Sequence, residues 1–271
     1  MIETRHTFAL DRELAGAAFG ARPGDWPLPT ARTPHQLWLR AVACGGQGRY
    51  GNAFDDLAAL RRTGDRRLVS LAHSTHGSFV RQLGWHTAAR GWDGRALALA
   101  GDDPESSADA LIGLAADALG VGRFAASAAL LARADEAVAA GPVPDRIPVR
   151  RAWVGAELAM ASGDGPVAVR RAEEAVELAR TMAVTSVRHR VKSDVVLAAA
   201  LCSAGGIERA RAVAEAALRD TGRYHLTPLR WALSCLLIDI GSVTFSARKL
   251  QEIRDICAGQ VRHAGGTWRS A

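Results

Sequence analysis

Residues 157–179 read ELAMASGDGPVAVRRAEEAVELA, and residues 200–222 read ALCSAGGIERARAVAEAALRDTG. Both follow one plan. A helix ends in small residues, a glycine makes the turn, and a second helix opens with an alanine followed by others four and seven residues on. In the first segment these are Gly163, Ala168, Ala172 and Ala175; in the second they are Gly205, Ala210, Ala214 and Ala217. Two antiparallel helices approach closely only where small side chains face each other. Glycine accepts the left-handed backbone that ends a helix and starts the turn. One such hairpin cannot bury its apolar face alone, so a chain made of them must stack neighbours.

The same frame fits four more stretches. It gives Gly84, Ala89 and Ala96; Gly48, Ala53, Leu57 and Leu60; Gly122, Ser127, Leu131 and Ala134; and Gly241, Ser246, Leu250 and Ile253. The anchors 53, 89, 127, 168, 210 and 246 are spaced by 36, 38, 41, 42 and 36 residues. Alanine, leucine and arginine, all strong helix formers, dominate the composition. Alternating β-branched runs are missing, so no sheet is expected.

These units resemble tetratricopeptide repeats, a family of helical hairpins with a period near 34 residues. The match lies in the turn glycine and the alanines of the second helix, and it covers roughly residues 33–262. It departs from the family in its longer period and in the near absence of the repeat-ending proline. The glycine expected in the first helix is present only at Gly77; Ala41, Ala115, Ala156, Ala198 and Ser234 take its place elsewhere. The resemblance implies an all-α superhelical array of about six hairpins. It also implies a concave groove lined by the first helix of each pair. Residues 1–32 then form a helix and a Pro/Gly-rich connection, residues 33–262 the repeat domain, and residues 263–271 a flexible tail. GPVPDRIP, 141–148, is the strongest internal break and a point of subdivision.

The chain has 271 residues, 48% of them apolar and 23% charged, which suits a folded domain with a real core. Its longest apolar run, VVLAAALC at 195–202, is far shorter than the roughly 20 residues a membrane helix needs. The first residues lack an apolar signal region, so a cytoplasmic location is expected. Cys44, Cys202, Cys235 and Cys257 are widely spaced and sit in apolar settings, which reads as buried reduced thiols. The net charge is +6, with arginine far exceeding lysine, as in coding from a GC-rich genome. The arginines are scattered and form no basic block.

Familiar chemical motifs fail on context. His73 and His76 share a helix face, but a metal needs three or four ligands and no third is suitably spaced. They read as surface histidines, with His86 in a turn. GVGRFA at 120–125 matches a dinucleotide fingerprint, but it occupies a helix–helix turn instead of following a strand. No phosphate-loop or nucleophile-elbow motif is present. No cofactor, metal or catalytic residue is therefore assigned.

The groove is the better candidate. The frame turns Trp38, Arg81, Arg150, Trp153, Arg188, Lys192 and Trp231 toward it. Trp38, Trp153 and Trp231 recur at one position of their units, and Arg150 and Lys192 at another. The basic run Arg188 to Lys192 sits where a helix should begin, the end whose dipole favours anions. Tryptophan supplies large contact area, and arginine grips carboxylates with a forked pair of donors. The expected function is a non-catalytic adaptor or regulatory module that binds an acidic protein or peptide partner. A nucleic-acid- or transcription-complex-associated regulator is the alternative, and an enzyme the third.

Overall fold

A computed structural model describes residues 2–269, with the side chains of residues 2–6 outside the description. Among the described residues there are thirteen α-helices and no strand. Helix α1 is Ile2–Ala18. Six antiparallel pairs follow: α2 (Pro34–Gly46) with α3 (Tyr50–Leu60), α4 (Arg66–Gln82) with α5 (His86–Ala100), and α6 (Pro104–Gly120) with α7 (Phe124–Ala139). Then come α8 (Arg146–Ala161) with α9 (Gly165–Arg180), α10 (Val187–Ser203) with α11 (Ile207–Arg223), and α12 (Thr227–Ile240) with α13 (Ala247–His263).

The turn glycines of the sequence frame make these pairs. Gly48, Gly84, Gly122, Gly163, Gly205 and Gly241 have φ of 81°, 93°, 74°, 77°, 80° and 80°. A side chain at these angles would be strained, which is why each turn needs glycine. Five of the six anchors (Ala53, Ala89, Ser127, Ala168, Ala210) are fully buried against the partner helix. The sixth differs. Ser246 is exposed and caps α13, its hydroxyl accepting from the Lys249 amide at 3.2 Å. The last turn is longer than the others. Glu215 of α11 holds it by accepting from the Val243 and Thr244 amides and the Ser242 and Thr244 hydroxyls. Residues 120–125 span the turn between α6 and α7, as their context implied.

Each first helix also packs on the next, so α2, α4, α6, α8, α10 and α12 form one inner row. The row's two ends meet. The Gly51 amide donates to the Ala264 carbonyl at 2.7 Å, and the Arg269 amide to the Leu83 carbonyl at 2.9 Å. Trp85 Nε1 donates to the Thr267 carbonyl at 2.8 Å; within the C-terminal end itself, Trp268 stacks on Trp231 with centroids 4.3 Å apart. Val261 belongs to the same apolar cluster as Leu14, Trp38, Tyr50 and Leu71, with Trp268 packed on its edge. Between the ends, the Val187 amide donates to the Gly20 carbonyl at 3.1 Å, tying the connection after α1 to α10.

The segment expected to be a flexible tail is therefore packed against the first two hairpins through residue 269; residues 270–271 lie outside the described residues. An apolar cluster also joins Leu131 and Ala134 of α7 to Ile147 and Val154 of α8, across the break at 141–148. All four cysteines are free. Cys44 and Cys257 are buried, whereas Cys202 and Cys235 are only half-buried.

Trp268→Ala removes the indole stack on Trp231 and the apolar area that Trp268 packs against the first cluster. It should cost about 1–3 kcal/mol of unfolding free energy in a urea titration. An unchanged midpoint would show that this packing carries no stability.

Candidate functional site

The inner row borders a half-open chamber of about 400 Å³. Residues from α4, α6, α8, α10 and α12 line it, joined by Phe19 after α1 and Gly46 at the end of α2. Six of the seven candidate residues come together there: Arg81, Arg150, Trp153, Arg188, Lys192 and Trp231. Trp38 does not. It is buried in the first apolar cluster, its Nε1 donating to Thr75 Oγ1 at 3.1 Å. Phe19, just after α1, covers it at 5.2 Å between centroids and lines the chamber in its place.

Those two tryptophans are braced differently. Trp153 Nε1 donates to Ser193 Oγ at 2.8 Å, and its ring stacks on His189 at 5.4 Å. Trp231 is backed by Trp268. Both therefore contribute braced aromatic walls, with Lys192 Nζ 5.9 Å from the Trp153 ring centroid.

The cations fall into paired and unpaired groups. Arg146, which the sequence reading missed, contacts Glu105 at 2.7 Å and Asp109 at 3.3 Å. Arg150 shares Asp109 at 3.1 Å. Burial works against the Asp109 charge, but these two guanidinium groups hold its carboxyl below the usual range. Lys192 pairs with Glu157 at 3.3 Å. Arg188 differs from all of these. Among the described residues its one hydrogen bond goes from Nη1 to the Val42 carbonyl at 3.3 Å, and no carboxylate pairs with it. Burial, then Arg150 and Arg146, lower its pKa to about 10. It lies in the first turn of α10, where the helix dipole also disfavours a cation.

Arg81 lines the chamber, but its charge is engaged elsewhere. Nη1 alone donates to Asp93 Oδ2 at 2.8 Å, Asp117 Oδ1 at 2.6 Å and the Gly113 carbonyl at 3.0 Å. One guanidinium cannot neutralise two buried carboxylates. Burial, with Asp117 adding to it against Arg81, pushes the Asp93 carboxyl up to about 8. Two glycines make room for Asp93. A Cβ on Gly77 would lie 2.8 Å from its Oδ2, and one on Gly113 would lie 2.5 Å from its Cγ. Gly77 is thus small for Asp93's sake. Asp93 itself was detectable: it occupies the position four residues after the anchor, where the other units carry Leu57, Leu131, Ala172, Ala214 and Leu250.

The histidines read as surface residues are not free in solvent. His76 stacks on Trp92 at 3.8 Å, with His73 5.4 Å from the same ring. Burial, then nearby Arg61, lowers both to about 4. His86 lines the chamber, and so does His189, whose Nδ1 lies 2.7 Å from Ser186 Oγ. Burial and then the neighbouring arginines hold His189 well below its ordinary value, so it stays neutral. Among the described residues no cluster of three or more histidine, cysteine or carboxylate side chains is arranged to hold a metal. No described helix is long and apolar enough to cross a membrane.

No protein-family model matches the chain, and no curated protein matches it significantly. The resemblance to tetratricopeptide repeats rests on its own residues.

Two predictions separate the roles of these charges. Arg188→Met removes a cation with no ionic partner, and should leave the urea midpoint equal or raise it. Arg81→Met strands Asp93 and Asp117 and should cost about 3–5 kcal/mol. Equal losses in both variants would contradict the unpaired state of Arg188. The second prediction concerns pH. A carboxyl raised in the folded state contributes stability that is complete below its unfolded value and is lost as pH rises through the folded value. For Asp93 that window runs from near 3.8 to about 8. Urea midpoints of the wild type should therefore fall more between pH 5 and pH 8.5 than those of Asp93→Asn. Parallel pH profiles would rule out a proton on Asp93.

Proposed function

We propose that the six hairpins form a tetratricopeptide-like superhelix closed into a single turn, and that the protein is a non-catalytic recognition module. Its partner is an acidic, apolar-anchored segment of a protein or peptide, received in the chamber. The observation that carries this reading is Arg188. An arginine held among Arg146 and Arg150 with no carboxylate of its own is costly to the free protein, and an arriving anion relieves that cost. The aromatic faces of Trp153 and Trp231 supply the apolar anchorage beside it.

Selection from a displayed random-peptide library tests the reading. Enriched peptides should carry an acidic group next to an aromatic or branched residue. In fluorescence anisotropy they should bind the Arg188→Met/Lys192→Met variant roughly 10- to 100-fold more weakly than the wild type. Added salt should weaken the same binding. Peptides that bind the folded variant as tightly as the wild type would overturn the assignment of the chamber.

A further inference from the structure

The chamber's size, walls and charge balance restrict what fits it. Its volume of about 400 Å³ lies near the lower end of the range for small-molecule sites, roughly 300–1,000 Å³. It is built between helices, with Phe19, Ile112, Trp153, Leu229 and Trp231 as apolar walls.

The charges inside nearly cancel. Lys192 is matched by Glu157, Arg146 and Arg150 by Asp109 and Glu105, and Arg81 by the Asp93–Asp117 pair, which shares one proton. Arg188 is left over. A single uncompensated cation matches a monoanion; a phosphate dianion would bring more charge than the site can balance. A guanidinium has five N–H donors, and the Val42 carbonyl engages one. The others can grip both oxygens of a carboxylate. Gly46 helps to set that fork. A Cβ there would lie 3.1 Å from Arg188 Cδ, so the missing side chain lets Arg188 lie along the end of α2.

We infer that the chamber is a receptor site for a free small-molecule monocarboxylate with a compact aromatic or branched apolar body, its carboxylate seated on Arg188 and its body between Trp153 and Trp231. This rests on the chamber being the binding site and narrows its occupant from a chain segment to a free acid. Gly46 is a positioning residue in this site, acting through Arg188.

The test uses the full chain and a panel of probes: indole-3-acetate, cinnamate, 4-phenylbutyrate and decanoate, each beside its uncharged amide. Binding is read by calorimetry and by the emission of the chamber tryptophans. At least one of the three aromatic acids should bind one-to-one and more tightly than linear decanoate, with its amide weaker by roughly 10- to 100-fold. Arg188→Met should lose the acid by a similar factor while keeping its helical circular dichroism and its melting temperature. Arg188→Lys should retain part of the affinity, and Gly46→Ala should weaken it. Equal binding of acid and amide, or acid binding unchanged in Arg188→Met, would overturn the inference. So would a panel in which no free acid binds while the selected peptides bind through Arg188, and that outcome would leave the broader reading of the chamber standing. If neither acids nor peptides depend on Arg188, both fail together.

Discussion

The chamber depends on the contact between the two ends of the helical row. A stack of hairpins gives each unit a neighbour on either side but leaves the terminal units open. Here the segment after α13 lies along the first two hairpins. The Ala264 carbonyl accepts from Gly51, the Arg269 amide donates to Leu83, and Trp85 Nε1 donates to the Thr267 carbonyl. Without that closure the inner surface would be a groove open to water, and the arginines lining it would be screened. With it they face one another across a small, partly apolar space, where each unmatched charge carries weight.

The charge arrangement follows from that setting. Two buried carboxylates around one guanidinium disfavour the doubly ionised state, and burial together with Asp117 raises the Asp93 carboxyl. Two arginines around Asp109 hold its carboxyl low. Both clusters settle internally. Arg188 has no such arrangement, and its first-turn position on α10 adds the dipole's opposition. A folded protein keeps a partly buried, unmatched cation at a cost to its own stability, and the proposed function rests on that cost.

Much of the fold was legible because it is local. A turn that needs positive φ shows itself as glycine, and a close helix contact as alanine, so the frame found all six turns and five of six buried anchors. It failed only at Ser246, which a longer turn leaves outside the helix as its N-cap, while Leu250 and Ile253 are buried in the frame's own register. The inward facing of six candidate side chains also followed from the frame. Three things did not. The fate of Trp38 is decided by Phe19, which reaches it from outside the repeat pattern. Closure of the row depends on pairings such as Gly51 with Ala264, set by small rotations summed over all the hairpins and not by any one of them. The roles of Arg146, Asp93 and His189 depend on partners from other units, and a residue pattern within one helix does not reveal which partner it will meet.

Small-angle X-ray scattering from the monodisperse protein in solution tests the closure most directly. A closed row of this length should have a radius of gyration of about 18–19 Å and a compact, nearly symmetric distribution of interatomic distances. A radius several ångströms larger, with the long-tailed distance distribution of an extended solenoid, would contradict it and with it the existence of the chamber.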